Sequence, residues 1–250
     1  MSAQPKPAPC PSPLPTSLTC AACRLGACDT YRHDPDLTRA GPGQTVHFPA
    51  GAVMARQGHH GTNVYSLCEG LVKLEQGLPD GQMRTVRVLK PGDLLGLELL
   101  SGQPNRYTAT TLGQARACRT PVHRVWETAQ HDSQLRQSLT AQWQQSLDEA
   151  DFVIAHLSTG PARQRVARLL MHLTRRQARQ LSQVMPREDM ASLLGLTPET
   201  VSRTCAAFKR EGLLHERAGI LSVDQASLSA ISEGSEMSLC AGPVPSLYRP

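Results

Sequence analysis

Cys20-Ala-Ala-Cys23 and Cys28 place three thiols on one short stretch of chain. Thiolate sulfur is a soft donor suited to iron and zinc, and three such ligands on a loop can wrap one face of a metal centre. A fourth donor has to come from elsewhere. Of the other cysteines, Cys10 lies in a proline-rich leader, Cys240 in a Ser/Gly/Pro tail, and Cys205 on the core side of a helix described below. That leaves Cys68, ahead of a turn, and Cys118, between Arg116 and Arg119. The two arginines favour a thiolate and offset an anionic cluster, so Cys118 is chosen, although composition and spacing alone leave it a guess. A Cys-x2-Cys pair serves zinc equally well, but zinc sites generally add a second close pair. Here the third cysteine stands alone after four residues, a gap also used in plant-type iron–sulfur runs. An iron–sulfur centre is therefore expected, with structural zinc or unmetallated thiols as alternatives.

A second constellation lies far downstream, at Met190-Ala-Ser-Leu-Leu-Gly-Leu-Thr-Pro-Glu-Thr-Val-Ser-Arg203. The spacing predicts a helix from Arg187 to Leu194, with Met190, Leu193 and Leu194 on one side. Gly195 supplies a tight turn and Leu196 its buried plug. Thr197 is a good N-cap, Pro198 suits the first helical position, and Glu199 favours the positive helix end. The second helix should run to about Gly212, with Val201, Cys205 and Phe208 on its core side. Glu199, Ser202 and Arg203 then point outward near the helix start, headed by Thr197, where a recognition helix meets base edges. Arg203 can take guanine bidentately, Glu199 can accept from a cytosine amine, and Ser202 is permissive. Lys209 and Arg210 are expected on phosphates. Leu213-Leu-His215 and Gly219-Ile-Leu-Ser-Val223 read as a short wing.

Charge agrees with that assignment. The chain carries +5 overall. Residues 160–217 hold eleven Lys/Arg against five Asp/Glu, a net of +6, so the remainder stands at 5 − 6 = −1. The footprint for a polyanion is on the C-terminal third.

The elements that must position these groups change in texture along the chain. Residues 41–125 are short apolar runs punctuated by glycine, with strand-like pieces at Val64–Leu67, Leu71–Leu74 and Arg84–Leu89, as in a small antiparallel barrel or sandwich. Pro79-Asp-Gly81 and Lys90-Pro-Gly-Asp93 read as turns. From Asp132 to Ser158 there is no glycine or proline. Leu139, Trp143, Leu147, Ala150, Ile154 and Leu157 recur there at steps of three and four, an apolar stripe on one long helix. The stripe is read as a dimer seam, its alternative being packing against the chain's own barrel. Gly160-Pro161 ends this helix, and a basic helix follows to about Arg179.

The longest apolar runs are too short to span a bilayer, and the N-terminus alternates prolines where a signal peptide would have an apolar core. A soluble cytoplasmic protein with an extended leader is expected, one whose eight cysteines do not form a disulfide framework. His47, His59, His60 and His123 are scattered without a nucleophile or carboxylate constellation, and no enzyme is expected.

Taken together, the pattern resembles the CRP/FNR superfamily of transcription regulators, specifically its FNR branch, over Cys20 to about Val223. Leu196-Thr-Pro-Glu-Thr-Val-Ser-Arg203 is similar to the FNR recognition helix, and Gly92-Asp-Leu-Leu-Gly96 to the barrel's signature turn. Cys118 falls at the strand position of the fourth cluster cysteine. The resemblance implies an α+β architecture: an N-terminal β-roll sensor domain of the cyclic-nucleotide-binding type, a long dimerisation helix and a C-terminal winged helix-turn-helix. The corresponding divisions are a disordered leader (1–19), a cluster loop plus β-roll (20–131), the dimerisation helix (132–159), the DNA-binding domain (160–232) and a flexible tail (233–250).

The same resemblance implies a homodimer whose oxygen-labile [4Fe-4S] cluster, on Cys20, Cys23, Cys28 and Cys118, controls binding to a duplex palindrome like TTGAT-N4-ATCAA. RNA polymerase is the implied further partner, and activation of anaerobic genes the implied outcome. Three departures stand out. Four residues, not the usual five, separate Cys23 from Cys28; Ala150 replaces a seam aspartate; and Pro198 replaces a valine, after a shorter approach to the helix-turn-helix. The cyclic-nucleotide branch shares the fold but needs Gly-Glu and Arg-Ser pairs. Glu98 and Arg106 are of the right type but each displaced by one residue, so a cyclic nucleotide is not expected. The rival is a regulator controlled by another small ligand, its N-terminal cysteines holding structural zinc or no metal.

Overall fold

The structure is a computed structural model and describes residues 44–174 and 181–234. Cys20, Cys23 and Cys28, with the proline-rich leader, lie outside the described residues. The first part folds as eight strands: β1 (Gln44–Phe48), β2 (Val53–Ala55), β3 (Asn63–Glu69), β4 (Val72–Gly77), β5 (Met83–Leu89), β6 (Leu94–Leu95), β7 (Thr108–Thr111) and β8 (Ala115–Pro121). They form two four-stranded antiparallel sheets, ordered β1-β8-β3-β6 and β2-β7-β4-β5. Alternation decides which side chains lie between them. Leu67, Val72, Leu74 and Leu89 pack there against Leu95, Ala109, Ala115 and Ala117, while Val64 and Cys118 turn to the opposite face of the first sheet. Gly70 joins β3 to β4 at φ +91, and a Cβ on it would stand 2.6 Å from the Gln114 carbonyl oxygen. Only glycine fits that turn.

Helix begins earlier than the strand-rich texture suggests. α1 (Val122–His131) follows β8 directly, because Val125 and Ala129, one turn apart, bury themselves on the outer face of the first sheet. Asp132 ends it and caps the next helix, α2 (Ser133–Phe152), its carboxylate accepting from the backbone N–H of Gln134 at 2.8 Å and of Leu135 at 3.0 Å.

The long apolar stripe is not one face. Leu139 is buried with Val64 and Cys118, and Leu157 is buried with the C-terminal core, so neither is available to a partner chain. The reason at the lower end is a π-helical turn over Val153–Leu157, whose extra residue per turn rotates Leu157 off the line of Leu147 and Ile154. Trp143, Leu147, Ala150 and Ile154 remain exposed.

The C-terminal part contains α3 (Ala162–Thr174), β9 (Leu181–Gln183), α4 (Arg187–Leu194), α5 (Pro198–Arg210), β10 (Leu214–Arg217), β11 (Ile220–Val223) and α6 (Gln225–Glu233). The two expected wing strands are β10 and β11. β9 completes an antiparallel sheet ordered β10-β11-β9, its three residues too few to show alternation in the sequence. The two parts share apolar packing: Leu71 and Val88 of the β-roll join a cluster with Leu169, Leu170, Met190 and Phe208. Among the described residues no helix is long and apolar enough to cross a membrane.

Candidate nucleic-acid interface and sensor site

α4 and α5 are set by local chemistry. Gly195 ends α4 in the left-handed region at φ 61, a conformation glycine takes without penalty. Leu196 N–H closes the turn onto the Ala191 carbonyl at 3.0 Å. The Thr197 hydroxyl accepts from the Thr200 N–H at 3.2 Å and Pro198 occupies the first turn of α5. Val201, Cys205 and Phe208 are buried; burial raises the Cys205 thiol above its ordinary value. Glu199, Ser202 and Arg203 are exposed on the opposite side, as expected. The carboxyl of Glu199 is held below its ordinary value by its own backbone N–H, by the Thr197 hydroxyl and by the charge of Arg203. At the head of α5 the structure thus presents an anion, a hydroxyl and a guanidinium side by side.

Arginines of α3 hold both helices in the domain. Arg165 donates to the Leu194 carbonyl at 2.9 Å, and Arg163 stacks over the Phe208 ring at 4.7 Å while pairing with Glu211. At the far end of α5 Lys209 has a partner within the chain. Lys209 is turned to Glu216 of β10 at 2.7 Å, and Arg187 of α4 binds the same carboxylate. Burial alone would raise the Glu216 carboxyl, but the bonds from Lys209 and Arg187 leave it below its ordinary value. Lys209 therefore ties the helix to the wing, while Arg210 is exposed beside it.

Cys118 sits on β8, with only 1% of its surface exposed, beneath α1 and the start of α2. Its sulfur is 3.6 Å from that of Cys68 on β3, so the two thiols between which the sequence had to choose occupy one place. Among the described residues no three His, Cys, Asp or Glu side chains are grouped to hold a metal.

At the barrel's signature turn, Gly96 leads into a 3-10 turn, Leu97–Ser101, that buries Leu97, Leu99 and Leu100. Glu98 accepts from the backbone N–H of Arg106 at 3.1 Å. A cavity of about 50 Å³ lined by Tyr65, Gly96 and Asn105 lies beside it, against roughly 300 Å³ or more for a typical small-molecule pocket. His47, His59, His60 and His123 are all exposed.

A junction that the sequence did not reveal links the β-roll to the reader. Lys90, 1% exposed at the end of β5, reaches Glu149 of α2 at 3.2 Å and the His172 Nε2 of α3 at 2.7 Å. His172 Nε2 in turn lies 2.7 Å from Glu149 and its ring stacks on Phe152 at 4.5 Å. Lys73 of β4 pairs with Asp189 of α4 at 2.8 Å, and the Ser192 hydroxyl accepts from the Thr85 N–H at 3.0 Å. The one available signal was a lysine at the end of an apolar strand; its partners, remote in sequence, leave no local trace.

Residues 45–132 match the model of a cyclic nucleotide-binding domain, and residues 164–231 that of a Crp-like helix-turn-helix domain. The chain is 31% identical over 163 residues to the transcriptional regulator LdrP of Thermus thermophilus, covering 63% of this chain and 80% of that one. It is 30% identical over 199 residues to the nitrogen fixation regulation protein FixK of Bradyrhizobium diazoefficiens, covering 76% and 82%. Among solved structures, FixK2 from Bradyrhizobium japonicum is similar with a TM-score of 0.67 and 25% identity, over 75% of this chain and 96% of that one.

Proposed function

The chain belongs to the CRP/FNR family of transcription regulators, and from that premise we propose that it is a cytoplasmic, homodimeric DNA-binding regulator that senses oxygen or redox state through a [4Fe-4S] cluster. The observation that carries the DNA-binding reading is the exposed trio Glu199, Ser202 and Arg203 on a capped helix whose other face is buried. One such helix makes few base contacts. Two on a common axis engage half-sites one helical turn apart, and the linkage multiplies affinity. The exposed side chains of Trp143, Leu147, Ala150 and Ile154 are the part of α2 suited to that axis. A palindrome resembling TTGAT-N4-ATCAA is the proposed site, and recruitment of RNA polymerase at anaerobic promoters the proposed outcome.

For the sensor, Cys20, Cys23 and Cys28 would supply three thiolates and Cys118 the fourth. The donor chemistry fits: Cys118 is a thiol, and Cys68 sets a second soft donor 3.6 Å from it. When bound, an iron–sulfur cluster supplies an oxygen-labile crosslink between the leader and β8. The protein's own part is mechanical. Cys118 shares an apolar cluster with Val125 and Ala129 of α1 and Leu135 and Leu139 of α2, so tension on its strand reaches the root of the proposed dimer helix. A bias of about 1–3 kcal/mol, the usual size of coupling between sites, would shift the dimer.

A small-ligand regulator is the competing reading, favoured by the match to the cyclic nucleotide-binding model. The cavity of about 50 Å³ and the engagement of Glu98 by backbone weigh against a nucleotide. Protein purified without oxygen should be brown, carry iron and sulfide in equal amounts, and bind the palindrome; air should bleach the colour and weaken binding together. A colourless preparation holding stoichiometric zinc would overturn the iron reading and leave the DNA reader standing.

A further inference from the structure

The described part of the chain contains Cys68, Cys118 and Cys205. Two of these touch. Ser66 is the direct cross-strand partner of Cys118, and the register shift between Leu67 and Glu69 leaves Cys68 as the extra residue of a bulge. Bulges re-aim a side chain, and here the Cys68 sulfur arrives 3.6 Å from the Cys118 sulfur. A disulfide brings sulfurs to about 2.05 Å, so closure asks for an approach of about 1.5 Å, within the scope of side-chain rotation. The two sulfurs differ in access: Cys68 is half-buried, and Cys118 is sealed under α1 and α2. One sulfur can meet a small oxidant and the other can resolve the product.

We propose that Cys68 and Cys118 form a two-electron redox couple of their own, a cross-strand disulfide closed by hydroperoxides when no metal holds Cys118. The Cys68 sulfur attacks the terminal oxygen of the hydroperoxide. The O–O bond breaks, the alcohol (or water) leaves with a proton, and Cys68 becomes a sulfenic acid. The Cys118 sulfur then attacks the Cys68 sulfur, the S–O bond breaks and water departs with the Cys118 proton. Two thiols are oxidised to one disulfide and one peroxide is reduced to alcohol and water. A dithiol reductant reverses the step by exchange.

The consequence is structural. The Cys118 side chain is part of the floor on which Val125, Ala129, Leu135 and Leu139 rest. Drawing it toward Cys68 removes packing from the α1–α2 corner, and a disulfide also withdraws Cys118 as an iron ligand. The couple does not depend on the iron reading, because its chemistry needs only the two sulfurs and a peroxide.

The test uses the full chain, reduced with a phosphine, desalted without metal and treated with one equivalent of hydrogen peroxide. It is then denatured, alkylated and digested. A peptide linking Cys68 to Cys118, lighter by two hydrogen atoms and reversed by dithiothreitol, is expected as the main crosslink. Cys68→Ser should abolish it and leave Cys118 fully alkylated. Cys118→Ser should trap Cys68 as a sulfenic acid that reacts with dimedone. Amide exchange across α1 should quicken in the oxidised wild type and not in treated Cys68→Ser. Recovery of both cysteines alkylated, or crosslinks confined to Cys20, Cys23 and Cys28, would overturn the couple whatever the iron content proves to be.

Discussion

Arg203 and Glu199 were legible because their cause is local. A cap at Thr197, proline after it and a buried step through Val201, Cys205 and Phe208 fix which side of α5 faces out, and the structure exposes the expected residues. The pairing of Lys209 was not, since the carboxylate it meets, Glu216, belongs to a strand beyond the turn. These two basic residues should therefore behave differently when removed. Arg203→Ala should cost about 1–3 kcal/mol in binding to the proposed palindrome and relax preference at a single base pair, if the guanidinium reads guanine. Competition binding against a set of single-base variants measures this directly. An equal loss on every sequence would assign Arg203 to phosphate.

Among the elements, the strands β3, β4 and β5 and the helices α4 and α5 followed from periodicity and turns. The π turn at Val153–Leu157 and the start of α1 did not, because each depends on what the helix packs against. The same holds for the contact that joins three elements, Lys90 just after β5, Glu149 of α2 and His172 of α3. Burial by itself would raise the Glu149 carboxyl, yet the bond and charge of His172 and those of Lys90 bring it down to about 2. A carboxyl whose folded value lies below its unfolded one stabilises the fold above the unfolded value and loses that contribution as pH falls through the folded one. Glu149 should thus stabilise the chain fully above about pH 5 and progressively less from about 4.5 down to about 2. Urea unfolding of wild type and Glu149→Gln should differ by about 1–3 kcal/mol at neutral pH and converge in acid. A gap independent of pH would mean that shape, not charge, holds the junction.

For the whole molecule, the open question is what covers the middle of α2. Trp143 is 42% exposed, Leu147 61% and Ile154 67%, with Ala150 between them. The sequence showed the stripe but not its division, since the residues that anchor its ends, Leu139 and Leu157, obey the same spacing and differ only in what lies above them. On a symmetric dimer axis each exposed residue meets its own copy or a near neighbour. Alanine at position 150 places no charge there, and Asp148 is already engaged by the Gln144 amide at 2.8 Å on the flank. Ala150→Asp would set two carboxylates against each other in a region that excludes water, a juxtaposition costing several kcal/mol. Sedimentation of the metal-free variant should therefore move toward monomer at concentrations where the wild type remains dimeric. Binding to the full palindrome should fall far more than binding to a single half-site, because only the former depends on linkage. If sedimentation is unchanged, the aspartate is being tolerated and this stretch of α2 is not the subunit boundary.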